Sequence, residues 1–460
     1  MNGVNRTGWA GRRAFLPVAL VELLAFCLSV TVTFAAGSSS AISGLQQLYD
    51  NKEYQKVVEE IGTLPMEQSG LPDVRRMKVR SLLRLGNPKE ALAEYDRLEL
   101  VLKQDDVPLL REVSLGCILA MVKDMREQMR GAAYTALKEW QSPEAMAFLE
   151  DGLSDGSGLV RALVAEGLAK LEEGRRSVRF RQALDDQAVL VKEAVLKGLA
   201  KSGDTSVVGL AEPVLNDPEV RVRVAAAEVL CRFGRRAGCD LLERSARALN
   251  PDERTSAIRV LVDLKGAQAL ALLLEASEHK QPSVRGAAAT GLAHVSKPEA
   301  AAALARLLKD PLPPVRIAAA VSLGQLHDLD TGPPLRKALE DHDASVRAFV
   351  VGALLSRGER YDLVAVPVRM LTNTKEPAVR TAVARALGHA SDRNREPARA
   401  ALMMLVEDTM PRVRIAALKS MAKLDGMKAV PLLKQGLHDE DDAVRATAGG
   451  ALLQIMPPKT

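Results

Sequence analysis

One pattern recurs so regularly that it decides what this chain can fold into. A basic residue follows an apolar one in ten of eleven units, small residues come just after it, and a Leu or Met stands seven positions on. The basic residues are Arg130, Arg161, Lys192, Arg223, Arg254, Arg285, Arg316, Arg347, Arg380, Arg414 and Arg445. Successive spacings are 31 seven times, then 33, 34 and 31. An Asp precedes the basic residue by six in eight of the eleven units: Asp124, Asp155, Asp186, Asp217, Asp310, Asp341, Asp408 and Asp439. A period of this size means units that cannot bury an apolar face alone and must stack.

Each unit reads as two helices. In Pro314–Gly324, Val315, Ala319 and Leu323 fall on one face at helical spacing. Pro282, Pro377 and Pro411 lie three before their Arg, in a first turn where proline's missing N–H is harmless. A second helix follows, as in Pro334–Leu339, where Leu335 and Leu339 pair at i, i+4. The composition suits such stacking: 47% of the 460 residues are hydrophobic but only 3% aromatic, so Ala, Leu and Val let helices approach closely. A stack also escapes the ~100–200-residue ceiling on a single core, since each unit packs only on its neighbours. The fold class expected is all-α, an α-solenoid wound as a right-handed superhelix.

These units resemble HEAT repeats, in the short variety named for the phycobilin-lyase family, over roughly residues 108–460. The resemblance implies a role for the recurrent Arg and Asp: bonding between adjacent units and to loop backbone, an inter-repeat ladder that sets geometry more than it adds net stability. It implies no function, because such arrays serve many. Upstream, Tyr54, Val57 and Ile61 align with Pro88, Ala91 and Tyr95 at an offset of 34, and Leu85–Leu92 resembles the second-helix start of a tetratricopeptide repeat. Residues 44–104 are therefore expected to form a tetratricopeptide-like helical cap, and residues 105–460 the HEAT-like solenoid.

The N-terminus reads as an address. Arg6, Arg12 and Arg13 precede an apolar run from Ala14 to Ala36, a positive segment before a hydrophobic one. Thr33-Phe34-Ala35 places small residues where a signal peptidase reads, with cleavage before Ala36. Arg12–Leu16 resembles the twin-arginine export motif, although Gly11 and Pro17 depart from its flanks. Residues 1–35 are thus a signal peptide, and 36–43 a short linker. The alternative is an inner-membrane anchor over residues 14–36, against which Glu22 would cost ~2.5–3.5 kcal/mol at mid-bilayer. Export to a bacterial periplasm follows as the expectation.

Removing residues 1–35 takes away three Arg and one Glu, so the net charge of +5 becomes 5 − 3 + 1 = +3, nearly neutral for so large a surface. Four cysteines are too few for a disulfide framework. Cys231 and Cys239 flank a helix–helix turn and read as small core residues, with a bridge in an oxidising compartment as the alternative.

A search for chemistry finds little. None of the six histidines pairs with another at i+3 or i+4, and none is followed by Glu, which HEAT-type deoxyhypusine hydroxylases use to hold iron. No phosphate loop, nucleophile elbow or Cys-x-x-Cys is present. No catalytic residue, metal or cofactor is expected. The acidic run at His438–Asp442 reads as a helix-capping loop.

The second helices are expected to line the inner face. Eleven residues before each basic residue, their side chains run Glu150, Arg181, Glu212, Glu243, Leu274, Ala305, Arg336, Arg369, Met403 and Lys434. Signs alternate, whereas a phosphate-tracking groove needs one sign and aromatic platforms. No nucleic-acid partner is expected. The Arg175, Arg176, Arg179 and Arg181 cluster reads as a solvated helix end, and the Met pairs 403–404 and neighbouring Met370 as core. Yet the two stretched periods fall in Ser356–Glu376 and Ala390–Met410, which carry Tyr361, Arg369, Met370, Arg393, Arg395, Met403 and Met404. Aromatic, Arg and Met side chains are enriched at protein interfaces. A protein partner is expected at the inner surface or rim there. The function expected is an exported non-catalytic scaffold or adaptor; the alternative is a chaperone or lyase-like accessory factor.

Overall fold

A computed structural model describes residues 42–458. The signal or anchor segment, and the linker up to residue 41, lie outside the described residues. Between Asp106 and Val107 the chain divides into two compact units.

The first unit is helical throughout its regular structure. It comprises a helix over residues 42–50, then Tyr54–Thr63, the single turn Met66–Ser69, Pro72–Arg84 and Pro88–Leu102. Residues 42 and 43, assigned to the linker above, begin the first of these. Proline starts both of the last two helices, and their small apolar faces pack together. Val57, Ile61, Ala91 and Tyr95, the residues aligned by the 34-residue offset, are all buried. Glu94 is buried too and is gripped by Arg75, by Lys78 at 3.2 Å and by Arg97 at 3.0 Å. Such a carboxylate needs its cations, because burial alone would disfavour the charge.

The second unit is an α-solenoid. Each repeat basic residue lies in a long helix: Glu127–Trp140, Gly158–Lys170, Val189–Leu199, Val220–Arg232, Pro251–Lys265, Pro282–Leu292, Pro313–Gln325, Ala344–Ser356, Pro377–Leu387, Pro411–Asp425 and Asp442–Ile455. These are named below by that residue, as the Arg316 helix. Prolines open five of them; Asn250 accepts N-terminal N–H groups of one of these five, and Ser157, Asp343 and Asp441 those of three others. A helix of 5 to 11 residues precedes each long one from Arg161 onward.

Consecutive long helices pack directly on one another along the whole unit, and the Arg445 helix then packs on the Arg130 helix. The stack therefore returns to its start and closes a ring of eleven long helices. The first helix of the unit, Val107–Leu119, lies against the Arg445 helix and locks the join. Arg111, buried there, donates to the carbonyls of Leu453 (3.3 Å) and Met456 (3.0 Å) and pairs with Glu144 at 2.8 Å. Its guanidinium stands 5.7 Å from the Trp140 ring centre. Arg126 bridges to Asp442 and Lys419 to Glu139, each at 2.8 Å. Apolar contacts close the same seam, since Ala446 and Leu453 join the cluster that holds Ile118, Ala136 and Leu137.

The closure corrects the expected layering. The long helices touch around the ring, whereas most short helices pack chiefly on their long partners. Of two concentric layers, the one with the closer spacing has the smaller radius. The Arg-bearing helices thus form the inner wall, and the short helices, expected inside, form the outer one. Small residues decide this. A Cβ on Gly352 would meet the Ala386 Cβ at 2.9 Å, one on Gly324 the Ala353 Cβ at 2.9 Å, and one on Gly388 the Ser420 Oγ at 2.6 Å. Neighbouring inner helices approach nearly backbone to backbone, which bends the stack toward that face.

Candidate protein-binding surfaces

The ladder occupies the edge of the ring where each long helix starts. Arg316 Nε and Nη2 donate to Asp341 of the next unit at 2.7 and 2.9 Å, and Nη1 donates to the carbonyls of Asp310 and Pro311. Asp341 in turn accepts the backbone N–H of Asp343 at 2.8 Å. The same bidentate contact joins Arg130 to Asp155, Arg161 to Asp186, Arg285 to Asp310, Arg380 to Asp408 and Arg414 to Asp439. Lys192 makes a single bond to Asp217 at 2.9 Å. Arg223 and Arg347 reach only the carbonyls of their own loops, because Ala248 and Thr374 stand where the next Asp would be. At the seam, Asp124 is held by Arg126, and Arg445 bonds Asp442 and the Asp439 carbonyl.

The pairing moves charges in one direction. Asp186 is held below the usual carboxylate range by its bond from Arg161, with burial opposing. With both guanidinium edges and both carboxylate oxygens engaged, little bonding capacity is left for a ligand. A cavity of about 550 Å³ adjoins Arg414 and Asp439. The acidic loop beside it is internally used: Asp441 caps the Ala443 and Val444 N–H groups. Among the described residues, no group of three His, Cys, Asp or Glu could hold a metal ion.

The residues expected to meet a partner sit on the outer wall rather than the inner one. Arg369 and Met370 are on the short helix Ala365–Thr372, Met403 and Met404 on Arg395–Leu405, and these two helices touch. The methionines are not core, as expected, but surface: Met370 is 65% exposed, Met404 61% and Met403 43%. Leu363 and Val366 are exposed beside them. Tyr361 is only half-buried and packs on the core, Arg393 is exposed, and Arg395 bonds Asp392. The extra residues of the two stretched periods lie in the turns before these helices. There the buried Asn394 donates to the Glu359 carbonyl at 2.7 Å, stitching one turn to the next.

The basic cluster at Arg175, Arg176, Arg179 and Arg181 is spent locally. Arg176 pairs with Glu172, Arg179 with Asp151, and Arg181 with Asp204. Cys231 and Cys239 are disulfide-bonded, with Cα atoms 4.7 Å apart, instead of being two separate core thiols. The bridge ties the Arg223 helix to the outer helix Arg236–Ser245, both ends half-buried beside the turn that joins them.

The inner wall was missed from sequence. Counting from the basic residue, positions −2, +2, +5 and +9 share the helix face turned away from the outer layer. In the Arg223 helix these are Arg221, Ala225, Glu228 and Arg232. Glu228 is buried and accepts from Arg232 at 3.0 Å; burial, the larger effect, raises its pKa against that bond. Arg221 reaches across to Glu193 of the Lys192 helix at 2.7 Å. Two adjoining cavities of about 300 and 250 Å³ lie along these helices and share Glu193, Lys197, Lys201 and Arg221. The signal that marks the inner face was the run of small residues after each Arg.

The model for HEAT repeats matches residues 177–262, 241–324, 303–365, 332–408 and 364–454, together more than half of the chain. The chain belongs to the HEAT-repeat family. Among solved structures, the HEAT array is similar to human deoxyhypusine hydroxylase, at 21% identity over 54% of this chain and 96% of that one, with a TM-score of 0.31. It is similar to the complex of CpcE and CpcF of phycocyanin lyase from Nostoc sp. at 17% identity, 56% and 92% coverage and a TM-score of 0.33. It is also similar to a chain of the Kap95p–RanGDP complex at 12% identity, 90% and 64% coverage and a TM-score of 0.36. No curated protein matches the chain.

Proposed function

We propose that this HEAT-repeat chain is an exported, non-catalytic scaffold that holds a protein partner on its outer wall. One observation carries the reading. Val366, Met370, Met403 and Met404 are exposed on two touching outer helices, with Leu363 in the turn before the first and Arg369 and Arg393 alongside. Adaptable Met side chains around Arg are what a protein interface selects. Export is supported by Arg12, Arg13 and the apolar run to Ala36. It is supported further by the Cys231–Cys239 bridge, since such bonds persist in oxidising compartments.

The test is capture from the native envelope, with the co-eluting protein identified by mass. Met370→Glu and Met404→Glu, singly, should weaken that capture about tenfold or more while leaving the melting temperature unchanged. Undiminished capture by both variants would remove the outer wall as the site.

A further inference from the structure

The inner wall carries a charge pattern that the chain as a whole does not. Over the eleven long helices, positions −2, +2, +5 and +9 hold ten Lys or Arg: Arg221 and Arg412; Lys197, Arg259, Arg385 and Lys419; Lys170, Lys201, Arg232 and Lys423. They hold five acids: Asp252, Glu166, Glu228, Glu139 and Asp263. That is 10 − 5 = +5 on one face, a two-to-one excess, against near parity of 63 to 58 overall. The acids are mostly taken. Glu139 is paired with Lys419, Glu166 with Lys138 and Glu228 with Arg232, at 2.8, 2.8 and 2.9 Å. Among the described residues, Lys170, Lys201, Arg259, Arg385 and Arg412 are exposed and form no ion pair.

The wall also has an uncharged arc. On the Arg285, Arg316 and Arg347 helices the same positions read Ser283, Ala287, Thr290, His294; Pro314, Ala318, Val321, Gln325; and Ser345, Phe349, Gly352, Ser356. Cationic stretches on both sides of a neutral, partly apolar arc thus face one opening.

Its width limits the occupant. Eleven helices ~9 Å apart make a circle about 100 Å around, hence an axis radius of about 16 Å. Subtracting half of a ~10–12 Å helix leaves an opening about 20 Å across. One helix or extended segment fits; a folded domain does not. Nucleic acid is disfavoured by the face itself. Glu228 and Asp263 interrupt the basic track, and Phe349 is the one aromatic at these positions, where stacking platforms need several.

We infer that the ring's opening takes a single acidic polypeptide segment, its carboxylates on Lys201, Arg259 and their unpaired neighbours and its apolar side on the Val321–Phe349 arc. Cavities of about 300 and 250 Å³ open beside Lys201, the smaller also beside Arg259, and the Lys197 and Arg221 that line both are already paired with Glu193, which leaves Lys201 and Arg259 as free cations there. Because the ring is closed, the segment enters by a free end. The site is independent of the outer-wall patch and stands if that patch binds nothing.

The test uses the purified full chain and a fluorescein-labelled 20-residue Glu/Ala peptide, read by anisotropy. Saturable binding is expected. It should weaken about tenfold or more in Lys201→Glu/Arg259→Glu, and weaken with added salt. Met370→Glu should bind the peptide as wild type does. Both charge variants are compared at matched melting temperature, and Lys170→Glu/Arg385→Glu replaces the first if it fails to fold. Absence of saturable binding overturns the inference, as does equal affinity in either charge-reversed protein or for a Lys/Ala peptide. Tighter binding of a 20-residue oligo-dT would overturn the polypeptide class and assign the opening to a nucleic acid.

Discussion

Gly450, in the last long helix of the ring, lies against Ala136 in the first: a Cβ added to Gly450 would stand 2.9 Å from the Ala136 Cβ and 3.2 Å from its Cα. Gly352 meets Ala386 of the following unit with the same distance to its Cβ. In both pairs the glycine is five past its repeat basic residue and the alanine six past the next. The seam between the last unit and the first therefore repeats an ordinary contact between neighbours. Gly449, beside it, would push a Cβ to 2.8 Å from the Ser114 carbonyl, so the tandem glycines admit both closing helices at once.

Gly450→Val should open this seam. The added carbons have no room, and overpacking of this kind costs ~1–3 kcal/mol. Gly352→Val should cost a similar amount without parting the ends. Small-angle scattering should show a larger radius of gyration for the Gly450 variant than for the Gly352 variant. Equal radii, with both proteins destabilised, would mean the closure is no weaker than any other joint.

The ladder rungs should differ in worth. Arg316 is 3% exposed and bonds both a carboxylate and two carbonyls, so Arg316→Ala should lower stability by ~1–3 kcal/mol through the partners left unpaired. Arg223→Ala should lower it less, since Arg223 reaches carbonyls alone. Urea unfolding of the two variants ranks them. A larger loss at Arg223 would contradict the pairing.

Acid should release the same ladder. Asp186, bonded by Arg161, has its pKa lowered in the folded chain. A depressed carboxylate contributes its full stability above the unfolded value of about 3.9 and loses it as pH falls through the folded value. Stability measured in urea should be level from pH 7 to about 5 and fall steeply below about 4. Asp186→Asn should flatten that fall slightly; an unchanged slope would remove Asp186 from the linkage.

The bridge should be detectable directly. Unreduced protein should resist alkylation at Cys231 and Cys239, leaving the buried Cys117 as the described free thiol. Closing so short a loop is worth ~2–3 kcal/mol in the chain-entropy account, so a reductant should lower the melting temperature of the wild type and not of Cys231→Ser/Cys239→Ser. Alkylation of both without reductant would show the thiols free.

Native protein should begin near Ala36. N-terminal sequencing that finds residues 1–20 present would replace cleavage by the anchor. Arg12→Lys with Arg13→Lys should block export only along the twin-arginine route.

Sequence alone determined the repeat, the helical units and the ladder positions, because each depends on spacing within some thirty residues. That Arg316 meets the same neighbour as every other repeat Arg follows from its recurrence, while its bond to an Asp of the adjacent unit was implied only by the resemblance to HEAT repeats. The methionines could not be placed from periodicity. Met370 and Met404 fall at helical positions that serve core or surface equally, and only the packing of one layer on another left them outside. Curvature was likewise out of reach. Gly352 and Gly450 were visible as small residues, but their effect is the difference in spacing between two layers, a small angle per unit. That angle must accumulate over eleven units before Gly450 arrives beside Ala136. Which wall faces inward, and whether the chain closes on itself, is a sum over the whole unit, and only the tertiary structure performs it.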